Sequence, residues 1–68
     1  MDYAIILIMG RRERFQKIYN NLPLNLRLEV VLVIDGEPVT WNVIWLEVEQ
    51  RTKIGERMLE KLEALKII

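Results

Sequence analysis

The spacing of apolar positions changes along this chain, and each change marks a new element. From Trp41 it is helical: Trp41, Ile44, Trp45 and Val48 fall at i, i+3, i+4 and i+7, one stripe on a helix. Thr40 stands before them as a good N-cap residue, so a helix is expected over 41–49. A second stripe, Ile54, Met58, Leu62 and Leu65 with Leu59 beside it, predicts a longer helix. Thr52 caps that helix, which should run to about Leu65, and Arg57–Glu60 form an i, i+3 pair on its surface. Gly55 in its first turn costs about 1 kcal/mol relative to alanine and leaves room for another backbone to approach. Lys66-Ile67-Ile68 reads as the start of a strand.

The first half of the chain is less decided by pattern. Residues 2–21 read as a helix, with Ile5, Ile8, Phe15, Ile18, Tyr19 and Leu22 at roughly helical spacing. Asn20-Asn21 before Pro23 is its stop. Helix is the simplest reading; a short strand over 4–9 is the alternative, since Ile5 to Ile8 is a β-prone run before Gly10, and Met9 suits an alternative translation start.

Pro23 to Ile34 supports two readings. Leu26 to Val30 alternates and Val30 to Ile34 is a branched apolar run, both strand signals. With Asp35-Gly36 as the turn, this gives an α+β fold with a hairpin over 26–48 flanked by terminal helices. The second arm of that hairpin is a poor strand, because its apolar face switches from Trp41, Val43 and Trp45 to Ile44, Leu46 and Val48. With 41–49 taken as helix, the preferred reading of 23–34 is a buried helix that begins at Pro23. Leu24, Leu28, Val31 and Leu32 would form one face and Val30 and Ile34 a second. The fold expected is thus mainly α, a single small helical domain over 1–68.

Composition narrows the chemistry. Sixty-eight residues without cysteine or histidine exclude a disulfide scaffold, a thiolate metal site and the commonest general base. Serine is absent as well, and Thr40 and Thr52 carry the only aliphatic hydroxyls. Glu47 and Glu49 have no histidine to work with. No catalytic residue, cofactor or metal site is expected, and the chain is not expected to be an enzyme. A chain this short buries only about 60% of its unfolded surface, so a dense apolar core or a partner chain must supply stability. The run Ala4 to Met9 is too short to cross a bilayer and lacks a basic leader. A cytoplasmic protein without membrane contact is expected. The many Ile, Val, Leu, Glu and Arg, with no Cys, His or Ser, are similar to thermophile composition.

Ten basic residues balance ten acidic ones, but not evenly. Gly10 to Asn21 sets Arg11, Arg12, Arg14 and Lys17 against Glu13 alone. Leu26 to Gln50 holds Arg27 against Glu29, Asp35, Glu37, Glu47 and Glu49. From Arg51 onward five cations face Glu56, Glu60 and Glu63. Only the two ends are suited to nucleic acid, and a solvated surface explains the same charges equally well.

The stretch from Gly36 to Ile68 resembles the helix-turn-helix core of winged-helix DNA-binding domains. The residues that carry the likeness are Glu37-Pro38-Val39-Thr40, then Gln50-Arg51-Thr52, then Leu59-Glu60-Lys61-Leu62-Glu63-Ala64-Leu65-Lys66-Ile67-Ile68. The chain departs from that pattern in three places. Lys66 stands where the family has glycine, the turn at Glu49-Gln50-Arg51 lacks a small residue, and no wing hairpin follows Ile68. The likeness implies a wingless helix-turn-helix whose second helix lies in the major groove. Carried over, it implies that Arg51, Lys53 and Arg57 face DNA, with Thr52 near a phosphate at the helix N-terminus and Lys61 reaching the backbone. Arg11, Arg12 and Arg14 would add phosphate contacts if the first helix lies alongside. Trp41 and Trp45 read as core residues.

Two functions compete. One is a small DNA-binding regulator, with double-stranded DNA as partner and a homodimer as its form. The other is a protein-interaction module that pairs with itself or another chain through apolar surface.

Overall fold

A computed structural model of the chain describes residues 9–68. Helix α1, Arg11–Asn20, follows Gly10 in extended backbone. It stops where the paired asparagines predict, with the Asn21 side-chain amide donating to the Lys17 carbonyl at 2.7 Å. The helix expected over 2–21 is therefore seen from Arg11; the part of that expectation covering residues 1–8, with the strand alternative there, lies outside the described residues. Phe15 and Tyr19, one turn apart, are the residues α1 buries.

Pro23 to Ile34 is not the buried helix expected of it. It divides into a short 3-10 helix, Leu24–Leu28, and strand β1, Val30–Ile34. The branched run has the β propensity its residues suggest, and its partner is the four-residue strand β2, Glu37–Thr40. Asp35 and Gly36 both have positive φ, 51° and 80°, the two-residue turn geometry whose twist suits antiparallel strands. Ile34 pairs with Glu37, Val33 with Pro38 and Leu32 with Val39, while Val30 pairs with Thr40. Val31 is therefore an extra residue, a bulge that breaks the strict alternation of faces. Leu32 and Ile34 point into the core while Val30 is turned out to solvent. The hairpin spans 30–40 rather than 26–48, because the chain becomes helical at Trp41.

Helix α2, Trp41–Glu49, and helix α3, Lys53–Ala64, occupy the positions predicted by the two apolar stripes. Thr40 Oγ1 accepts the Val43 N–H at 3.2 Å and Thr52 Oγ1 accepts the Gly55 N–H at 3.0 Å, so both threonines act as N-caps. The residues after α3 form no strand. Lys66 adopts φ 60°, its N–H donates to Glu63 O, and the Ile67 N–H donates to Leu62 O, both at 2.9 Å. That is a Schellman closure with lysine in the left-handed position.

The described residues thus comprise three α-helices and one two-stranded antiparallel hairpin. The core joins Phe15 and Tyr19 to Leu32, Ile34, Val39, Ile44, Val48, Met58, Leu59 and Leu62. Trp41 and Trp45 pack against it. Their rings stack on Phe15 and Tyr19 at centroid distances of 6.1 and 5.7 Å, which places them in the structural role expected. No described helix is long and apolar enough to cross a membrane.

Candidate nucleic-acid interface

The candidate residues lie on α1, on α3 and in the turn that joins α2 to α3. That turn, Gln50 to Thr52, is closed by backbone bonds. Gln50 N–H donates to Leu46 O, Arg51 N–H to Val48 O and Thr52 N–H to Glu47 O, at 3.1, 3.1 and 3.2 Å. Arg51 adopts φ 54°, a conformation that glycine accepts more readily than arginine. Where the sequence lacks the expected small residue, the backbone still takes the shape that residue would favour.

Thr52 is committed to this turn. Its hydroxyl donates to Glu47 Oε2 at 2.6 Å while accepting from Gly55. A carboxylate thus already sits at the N-terminal end of α3, where negative charge is favoured by the helix dipole. A Cβ on Gly55 would lie 2.7 Å from the Glu47 carbonyl oxygen. The small residue here lets the first turn of α3 press against the last turn of α2, the close approach inferred for it.

At 100° per residue, Lys53, Arg57 and Lys61 run along one side of the exposed face of α3, and Glu56, Glu60 and Glu63 along the other. Arg51 and Lys53 are exposed and have no hydrogen-bond or ion-pair partner among the described residues. Arg57 reaches both carboxylate oxygens of Asp35 in the hairpin turn, at 3.1 and 3.2 Å. These hydrogen bonds, and then the charge of Arg57, hold the Asp35 carboxyl below its usual range. Lys61 Nζ donates to the Val33 carbonyl. A shallow hollow lined by Ile34, Asp35, Arg57, Glu60, Lys61 and Ala64 lies between this side of α3 and the hairpin.

Arg11, Arg12 and Arg14 of α1 are held by carboxylates instead. Arg11 Nε donates to Glu63 Oε1 at 2.8 Å and Arg14 binds the other oxygen of the same carboxylate. Arg12 lies 3.6 Å from Glu49, whose other oxygen accepts from Gln16 at 2.9 Å. The structure therefore gathers Arg51, Lys53, Arg57 and Lys61 around α3, and uses Arg11, Arg12 and Arg14 to tie α1 to α3 and α2.

Sequence reasoning passed over Arg27. Its guanidinium lies over the Tyr19 ring, 4.4 Å from the centroid, and its Nε is buried without a hydrogen-bond partner. Leu24 and Leu28, expected on the buried face of a helix over 23–34, are exposed instead. The signal at Arg27 was a lone cation in an apolar run. No protein family, curated protein or solved structure matches the chain.

Proposed function

We propose that this chain is a small helix-turn-helix DNA-binding protein that presents α3 to the major groove. The observation that carries the reading is the cationic side of α3, Lys53, Arg57 and Lys61, which begins at a tight three-residue turn holding the unpaired Arg51. In such a docking the N-terminal residues of the second helix meet base edges, so Arg51 and Lys53 are the specificity candidates. Arg57 and Lys61 serve the backbone.

Asp35 competes with phosphate for Arg57. The pair is solvent-exposed on both sides, so a phosphate can displace it. Arg11, Arg12 and Arg14 contribute little in this reading, since Glu63 and Glu49 already neutralise them.

The test is a titration of short duplex DNA, followed by fluorescence anisotropy between about 50 and 200 mM salt. Two to four phosphate contacts give a log–log salt slope of about −2 to −4. Arg57→Ala should weaken binding and flatten that slope by about one unit. Asp35→Asn should strengthen binding by freeing Arg57. Absence of salt-dependent binding, or an affinity indifferent to both substitutions, would sink the reading. A protein-interaction role is the second reading, favoured by the exposure of Leu24 and Leu28.

A further inference from the structure

We infer that Asp35-Gly36 is a modification site, where aspartate converts spontaneously to isoaspartate, and that Arg57 guards it in the folded chain. The inference is independent of DNA binding. Of the aspartates and asparagines in the chain, Asp35 alone is followed by glycine. A side chain on the following residue hinders its nitrogen from reaching the aspartyl carboxyl, and glycine removes that obstacle. The fold leaves the position equally open. A Cβ on Gly36 would meet nothing within 4 Å, and the Gly36 N–H donates to no partner among the described residues. The Asp35 side chain is 69% exposed, so water reaches the carboxyl.

The conversion needs only water. The Gly36 nitrogen attacks Asp35 Cγ, closing a succinimide ring, and the C–OH bond of the carboxyl breaks. The hydroxyl leaves as water with the amide proton. A water molecule then opens the ring. Breaking the bond from nitrogen to Cγ restores aspartate. Breaking the bond from nitrogen to the main-chain carbonyl carbon gives isoaspartate, whose backbone runs through Cβ and Cγ and is one carbon longer. The turn has positive φ at both residues, 51° and 80°, and sets Ile34 opposite Glu37. An added backbone carbon upsets that register.

Arg57 opposes the first step in two ways. Its terminal nitrogens donate to both carboxylate oxygens of Asp35, at 3.2 and 3.1 Å, a fork that holds the group against α3. The same contact keeps the carboxyl ionised, below its usual range, and the charge of Lys61 acts in the same direction. The hydroxyl leaves only from the protonated acid, so an ionised Asp35 resists ring closure. The hairpin adds a third restraint. Ring closure requires rotation of the peptide that follows Asp35, which the pairing of Ile34 with Glu37 resists.

The full chain, kept in warm neutral buffer for several weeks, reads the result. Samples are unfolded and digested with an endoproteinase that cuts before aspartate, which isoaspartate resists. The fraction left uncut at Asp35 is followed by mass spectrometry. In guanidinium chloride, wild type and Arg57→Ala should convert at one rate, faster than either folded chain. Folded, Arg57→Ala should convert several times faster than wild type, with circular dichroism unchanged. Glu63→Gln, which removes contacts of α1 and leaves the turn intact, should keep the wild-type rate. No conversion at Asp35 in the unfolded chain overturns the site. A folded Arg57→Ala chain that ages like wild type overturns the guard. So does a Glu63→Gln chain that ages as fast as Arg57→Ala, because the rate then follows stability and not the contact. Salt at about 1 M screens the exposed pair and should speed conversion of the folded wild type. That measurement keeps the test decisive if Arg57→Ala does not fold, and an unchanged rate overturns the guard.

Discussion

A methyl group on Gly55 would lie 2.7 Å from the Glu47 carbonyl oxygen and 2.9 Å from its carbon, both backbone atoms that cannot move without shifting a helix. Alanine ordinarily gains about 1 kcal/mol over glycine inside a helix. Here overpacking, which costs about 1–3 kcal/mol, should reverse the sign. Gly55→Ala is expected to lower the urea midpoint, a comparison that an exposed helix position would answer in the opposite direction.

Lys66 presents the reverse case. Its φ of 60° costs an L-residue about 1–2 kcal/mol, and both of its flanking closure bonds run through backbone groups that glycine keeps. Lys66→Gly should therefore stabilise the chain by about 1 kcal/mol, or ~4–8 °C in Tm for a domain of this size. A thermal melt that falls or stays put would show that the lysine side chain contributes more than its backbone loses.

Among the elements, α1 is attached by side chains as well as by burial. Glu63 on α3 accepts from Arg14 and Arg11 together, and those two hydrogen bonds, in that order, hold its carboxyl below its ordinary value of 4.5. A carboxyl depressed on folding contributes stability that is present above its unfolded pKa. That contribution is lost as pH falls through the folded one. Wild type and Glu63→Gln should thus differ in denaturant midpoint at about pH 7 and converge in acid, below the folded pKa of Glu63. Equal midpoints at both pH values would mean the three-residue cluster does not stabilise the attachment of α1.

The helices α2 and α3 were legible because threonine caps and apolar stripes coincide at Thr40/Trp41 and Thr52/Ile54. The segment 23–34 was not. Its leucines matched a buried face that does not exist, and exposure leaves no mark on spacing. The partner of β1 was hidden as well, since Thr40 both ends β2 and caps α2, and Pro38 is uncommon in strands away from an edge. At the candidate site, Arg51 and Lys53 were correctly read as exposed. The acids that hold Arg11, Arg14 and Arg57 come from 52, 49 and 22 residues away, a distance at which sequence gives no hint of pairing.

For the whole molecule, a chain with few unpaired cations and no net charge has little long-range attraction for DNA. A single copy with two to four phosphate contacts binds weakly at physiological salt.

The pairing of Arg11 and Arg14 with Glu63 also works as a clip between the first turn of α1 and the last turn of α3. Helix ends fray first when nothing ties them down. Here two such ends share one carboxylate, so protection against amide exchange at the start of α1 and at the end of α3 should fall together when Glu63 is replaced by Gln.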